Sequence, residues 1–197
     1  MQPPAPTVGP APFAVIIMGV SGSGKSTLGG LLARALDCPF LDGDDFHDAA
    51  AIAKMRTGRP LTDDDRWPWL DRLGRAMDQT LESGGPVVAA CSALRRGYRD
   101  RLRAAIRAPT RFVLLDPSPD ELLRRLGDRT GHYMPASLLD SQLATLERPG
   151  ADETATLLAA TASPQQLRDA TLTWLRASDR QAGRLERPSG HEPLSPL

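Results

Sequence analysis

Apolar positions along the chain fall into two arrangements that alternate. Continuous runs at Phe13-Ala14-Val15-Ile16-Ile17-Met18, Pro86-Val87-Val88-Ala89-Ala90 and Arg111-Phe112-Val113-Leu114-Leu115 have the length and uniformity of strands buried on both faces. Pro39-Phe40-Leu41 is a shorter run and 154–159 a weaker one. Between the runs, apolar residues take helical spacing. Leu28, Leu31, Leu32 and Leu36 predict a helix from about Lys25 to Leu36. Further helices are expected over 46–59, from a Thr62-Asp63 cap to about Leu81 with Pro68 in its first turn, and over 95–107, 119–129, 136–147 and 165–177. Strands alternating with helices predict an α/β sandwich with a parallel sheet. Residues 13–178 read as one domain without internal repeats, after a proline-rich arm over 1–12. The polar stretch over 179–197 is expected to be a disordered tail.

Composition narrows the class. With 197 residues, 41% hydrophobic and 24% charged, the chain has the balance of a globular protein. Acidic and basic residues number 24 each, so no bulk field draws it to nucleic acid or to an anionic membrane. The longest apolar run, from Phe13 to Val20, is too short to span a bilayer, and the start lacks the features of a signal peptide. A cytoplasmic location is the expectation. Cys38 and Cys91 match no metal spacing and read as reduced core residues. Of the 24 basic residues only Lys25 and Lys54 are lysine, leaving 22 arginines. Positions that keep lysine against such a bias suggest a need for a compact ammonium.

One of those lysines stands in Gly19-Val20-Ser21-Gly22-Ser23-Gly24-Lys25-Ser26, directly between an expected strand and an expected helix. This spelling is G-x-x-x-x-G-K-[ST] without a gap. Glycines let successive backbone N–H groups turn inward around a phosphate, and the helix start adds the positive end of its dipole. Residues 19–27, Thr27 included, are therefore the expected ATP site, with Lys25 bridging β- and γ-phosphate oxygens and Ser26 ligating Mg²⁺. A guanine-reading N-K-x-D is missing, since neither lysine follows asparagine. Asp71-Arg72-Leu73-Gly74 lies inside an expected helix, and Asp116 at the end of a strand reads either as a Walker B acid or as a plain turn residue.

Acceptor chemistry is expected downstream. Asp42-Gly43-Asp44 follows the second strand, where the carboxyl ends of parallel strands line an active crevice. Asp44 is the candidate base for a hydroxyl, and Asp42 a candidate partner of Mg²⁺ through water; an Asx turn or helix cap is the competing reading. His47, Ala51 and Lys54 fall near one face of the expected 46–59 helix, beside that acidic loop. Arg125 and Arg129, at i and i+4 before Gly131-His132-Tyr133-Met134-Pro135, suit a lid over about 125–136 that neutralises developing charge. Arg124 reads as a complement to the helix dipole.

With these residues in view, the sequence resembles the gluconokinases of the small phosphate-loop type. The likeness runs in order through 18–27, 41–47, Lys54-Met55, Pro60-Leu61-Thr62-Asp63-Asp64-Asp65-Arg66, Pro68-Trp69-Leu70, Cys91-Ser92-Ala93-Leu94-Arg95, Tyr98-Arg99-Asp100, 125–135, Ser141-Gln142 and Leu146-Glu147. It implies a phosphate-loop kinase fold, a three-layer sandwich with a five-stranded parallel sheet like that of shikimate and nucleoside monophosphate kinases. An acceptor-binding region over about 44–82 and a lid belong to it, often in a homodimer. The implied reaction is ATP-dependent phosphorylation of the 6-hydroxyl of D-gluconate, a small sugar acid. A carboxylate bearing many hydroxyls needs cations and hydrogen-bonding groups together, which His47, Lys54, Arg95 and His132 can supply. The family usually has asparagine where this chain has Ala51, and lysine where it has Arg95. Two other readings stay open at this point: a related kinase for another polyol acid or a shikimate-like acceptor, and a non-catalytic nucleotide switch.

Overall fold

The structure, a computed structural model, describes residues 11–118, 121–122 and 136–185. The proposed lid with Arg125, Arg129 and His132 lies outside these residues, as do most of the 119–129 helix and the arm. Five parallel strands form one sheet in the order β2-β3-β1-β4-β5. They are β1 (Ala14–Met18), β2 (Phe40–Asp42), β3 (Val87–Ala90), β4 (Thr110–Asp116) and β5 (Ala155–Ala159). The helices are α1 (Lys25–Leu36), α2 (Ala49–Arg56), α3 (Asp63–Leu81), α4 (Arg96–Ala105), α5 (Ala136–Thr145) and α6 (Pro164–Leu185).

The uniform apolar runs become the central strands because both of their faces are covered. Along β1, Ala14, Ile16 and Met18 pack with Leu70, Leu73 and Met77 of α3 and Leu102 of α4. Val15 and Ile17 point the other way, onto Leu28 and Leu32 of α1 and Leu167 and Leu175 of α6. This period of two divides the interior into two apolar layers with the sheet between them.

Three expectations are corrected. The predicted 46–59 helix is split: Gly43–Phe46 form a 3-10 turn capped by Asp42, and α2 begins only after Asp48 accepts the Ala51 N–H at 2.8 Å. His47 therefore sits in an extended link and shares no helical face with Lys54. Competing Asx caps break what apolar spacing alone joins. Pro68 stands in the second turn of α3, since Thr62 is the cap and Asp63 the first helical residue. The last helix continues through Leu185 rather than yielding to a tail at 179. Asp179 forms an ion pair with Arg111, a mostly buried β4 side chain, which fastens a polar turn to the sheet.

One buried ion pair holds the loops around the site. Arg99 on α4 donates to both oxygens of Glu153, at 2.6 and 2.9 Å, with the two side chains only 1% and 0% exposed. Its remaining amino group reaches the Glu147, Ala93 and Leu94 carbonyls at 2.9, 3.3 and 3.4 Å. Glu153 is held ionised below its ordinary carboxylate range, chiefly by Arg99. Thus the turn after β3, where Ala93 takes φ +41°, is tied to the segment between α5 and β5. Glu153→Gln leaves the guanidinium uncompensated in the interior and is expected to lower unfolding stability by about 3–5 kcal/mol. Urea denaturation at neutral pH measures this, and a loss below about 1 kcal/mol contradicts the assignment.

Candidate active site

Three loops leave the sheet at one level. Ala90 of β3 pairs with Ile17 of β1 on one side and with Asp42 of β2 on the other. The phosphate loop, the Asp42-Gly43-Asp44 segment and the 91–95 turn therefore start side by side, within about 10 Å across two strand spacings. Gly43 makes the approach possible, because a Cβ there would lie 2.5 Å from the Ala90 carbonyl oxygen. Convergence shows also in the Cys91 thiol. Burial pushes it up to about 12, and the charges of Lys25, Asp44 and Asp42 all act on it. The thiol is thus protonated and unsuited to be a nucleophile. Burial likewise raises Cys38, to about 11.

The phosphate loop is built around left-handed glycines. Gly19 takes φ +136°, with its backbone so near β4 that a Cβ would sit 2.6 Å from the Leu115 carbonyl oxygen. Its N–H donates to the Ser92 carbonyl at 3.2 Å, joining the loop to the turn after β3. Ser23 N–H closes a turn onto the Val20 carbonyl at 3.3 Å, and the Lys25 ammonium donates to the same oxygen at 3.0 Å. Helix α1 then starts from Gly24, which has no capping side chain, and carries no acid in its first turn. The neighbouring starts are capped by Asp42, Asp48 and Thr62, and Ser163 accepts the Gln166 N–H ahead of α6. Helix α4 borrows Glu147, whose carboxylate accepts the Arg96 N–H at 2.7 Å. Helix α1 thus presents its first-turn amides, with the exposed side chains of Ser26 and Thr27, to an anion. This donor set fits a triphosphate. It also fits Mg²⁺, which takes few protein oxygens and completes its shell with phosphate and water.

On the acceptor side, an exposed Asp44 carboxylate stands on the 3-10 turn, whose backbone Asp42 steadies by accepting the Asp44 N–H at 3.2 Å. Trp69 of α3 supports the turn from below by donating to the Gly43 carbonyl at 2.6 Å. The His47 ring stacks on Trp69, with centroids 4.2 Å apart. Burial is the main cause that lowers its pKa, with Asp44, Arg72, Asp48 and Arg66 also acting on it, so the imidazole is neutral at pH 7. Its Nδ1 is buried and meets no hydrogen-bond partner among the described residues.

Lys54 and Arg95 are each matched by an aspartate from the start of α3. The Lys54 ammonium contacts Asp65 at 2.5 Å, and Arg95 contacts Asp63 at 2.8 Å. The Tyr98 hydroxyl donates to Asp63 at 2.5 Å and accepts from Arg66 at 3.0 Å. Lys54 and the Thr62 cap hold the Asp65 carboxyl far below the usual range. Ala51 is 4% exposed and packed inside, so the family's asparagine position does not open onto the surface here.

Asp63, Asp65, Trp69 and Tyr98 were not expected as site residues. An Asp-Asp-Asp run at a helix start reads as capping, and Asp65 does complete a capping box with Thr62. Its second task, holding Lys54, leaves no mark in the local pattern. Asp116, open between two readings, accepts Arg148 at 2.6 Å, and Asp71, inside α3 as expected, accepts Arg101 of α4 at 2.7 Å.

Comparison with known proteins agrees with this geometry. A family model described as an AAA domain matches residues 15–149. The gluconokinase of Gluconobacter oxydans is 49% identical over 146 residues, covering 74% of this chain and 82% of its own length. The thermosensitive gluconokinase of Escherichia coli is 46% identical over 139 residues, 70% of this chain and 73% of its own. The crystal structure of a gluconokinase from Sinorhizobium meliloti superposes with a TM-score of 0.80 at 41% identity, over 89% of this chain and 98% of that one. With a phosphate loop after β1 and an acidic turn after β2, the chain belongs to the gluconokinase family of phosphate-loop kinases.

Proposed function

We propose that this protein transfers the γ-phosphoryl group of ATP to the 6-hydroxyl of D-gluconate, giving 6-phosphogluconate and ADP. The register that seats Ile17, Ala90 and Asp42 side by side carries the reading, because it sets a phosphate-binding loop beside a carboxylate-bearing one. Two substrates entering from the same edge of the sheet can meet there with their reacting oxygens close. When bound, Mg²⁺ neutralises the phosphate oxygens and orients them.

The chain's own residues supply the rest. Residues 19–27 form the cradle that binds the phosphates and fixes their position, chiefly through the amides at the start of α1, and Lys25 moves from the Val20 carbonyl to the transferring group, where negative charge develops. Ser26 would offer its hydroxyl to the metal, and Asp42, which shapes the turn, would hydrogen-bond to the ion's hydration shell. Asp44 accepts the proton of the attacking hydroxyl. Neutral His47 exchanges hydrogen bonds with acceptor hydroxyls without adding charge. Lys54 and Arg95, already paired with aspartates, present alternating donors and acceptors to a polyol. Arg66 brings this cluster to three cations against two carboxylates, leaving one positive charge for the gluconate carboxylate. From the sequence, Arg125 and Arg129 are assigned to the phosphates and His132 to the gluconate.

A coupled ADP-release assay with gluconate, shikimate, nucleoside monophosphates or no acceptor checks the proposal. Turnover is expected with gluconate and only at background elsewhere. ADP release that is the same with and without gluconate would sink it.

A further inference from the structure

Helix α5 rests on the crown of the phosphate loop through residues one turn apart. Leu139, 5% exposed, packs in a small apolar cluster with Val20, Leu94 and Leu122. Three residues on, the Gln142 side-chain carbonyl accepts the Ser21 N–H at 2.6 Å. The turn from Val20 to Ser23 uses the Val20 oxygen and the Ser23 N–H, so the Ser21 N–H is left over by the turn itself.

Val20 C=O and Ser21 N–H belong to a single peptide unit. Its oxygen accepts from Ser23 N–H and from the Lys25 ammonium, while its nitrogen donates to Gln142. Rotation of this plane would carry the Lys25 acceptor away and aim the Val20 carbonyl at Gln142, breaking both hydrogen bonds at once. Gln142 opposes that rotation, and it does so without charge, where a carboxylate would stand near a triphosphate.

The anchor is firm because α5 is fastened beyond its far end by independent contacts. Glu147 N–H donates to the Leu94 carbonyl at 2.8 Å, the Glu147 carboxylate accepts the Arg96 N–H, and Arg148 pairs with Asp116. The reach of Gln142 is therefore set from the sheet and from α4, not by the loop that it holds.

We infer that Gln142 is a positioning residue for the nucleotide: it locks the Val20–Ser21 peptide plane in the form that receives the triphosphate and sets the resting place of Lys25. This deepens the donor half of the function proposed above and rests on that half alone.

The test compares the wild type with Gln142→Met, which keeps length and packing but lacks the acceptor, and with Gln142→Glu, which keeps the acceptor. Readouts are binding of the β,γ-imido analogue of ATP by calorimetry, KM for each substrate, hydrogen exchange at the Ser21 amide, and Tm. In Gln142→Met, affinity for the analogue should fall about 3- to 10-fold, the worth of one such hydrogen bond. KM for ATP should rise with it, while KM for gluconate and Tm hold and the Ser21 amide loses protection. In Gln142→Glu the amide should stay protected. Unchanged analogue affinity in Gln142→Met overturns the inference, as does a fall in Tm with both KM values rising together. Because analogue binding needs no acceptor, a wild type that binds it but ignores gluconate refutes the substrate assignment and leaves this one intact.

Discussion

Asp44→Asn is expected to lower turnover with gluconate about 10²- to 10⁴-fold while ATP affinity stays within about two-fold. The substitution is nearly isosteric, and the 3-10 turn survives it because its cap uses the Asp44 backbone N–H, not the side chain. Trp69 continues to brace the Gly43 carbonyl. What disappears is the capacity to take a proton as the hydroxyl attacks. Nucleotide affinity should hold, since the donor amides lie on a different strand connection, after β1. Single-turnover phosphoryl transfer alongside analogue binding separates the two quantities. A variant with near-normal turnover removes Asp44 from the role of base and leaves the acidic turn a structural one.

Lys25→Ala should have the other large effect, a fall in kcat/KM of about 10³-fold or more, because a charge aimed at the transferring phosphoryl is lost from a preorganised site. Alanine is a strong helix former, so α1 should start where it does now. The ammonium rests at 3.0 Å from the Val20 carbonyl, within the loop that will hold the phosphates, so only a short swing separates its two positions. Lys25→Arg tests the need for a compact cation. In a chain with 22 arginines among its 24 basic residues, a guanidinium would be the default if it served, and it should recover little of the lost rate. Steady-state kinetics at saturating gluconate gives both numbers. Turnover retained in Lys25→Ala would overturn the assignment of the loop to catalysis.

How far such a site can be read in a sequence depends on the range of the forces that build it. The three central strands were legible because burial on two faces writes itself as uniform apolar runs, while the half-buried edge strands β2 and β5 left only a short and a weak one. The phosphate loop was legible because its positive-φ glycines and its lysine are consecutive. For the proposed acceptor side the sequence offers His47, Lys54 and Arg95 as candidates but not their wiring. Asp63 and Asp65 meet Arg95 and Lys54 from 32 and 11 residues away, and nothing in the local pattern of either partner records the match. Gln142 reaches Ser21 across 121 residues and offers no signal beyond belonging to a resembling stretch. The split of the 46–59 helix was missed for the opposite reason: Asp42 and Asp48 are local caps that interrupt a stretch expected to be one helix.

The bare start of α1 has a consequence for the life of the protein as well as for its chemistry. At the starts of α2, α3, α4 and α6 a side chain accepts an opening amide, whereas α1 has no side-chain cap and leaves that place to a bound anion. Nucleotide is thus a folding ligand: at one hundred times its dissociation constant it deepens the native well by about 2.7 kcal/mol. Local opening of α1, which exposes Leu28 and Leu32 to proteases, becomes about a hundredfold rarer in a loaded molecule than in an empty one. Resistance of α1 to proteolysis is therefore expected to rise with nucleotide concentration.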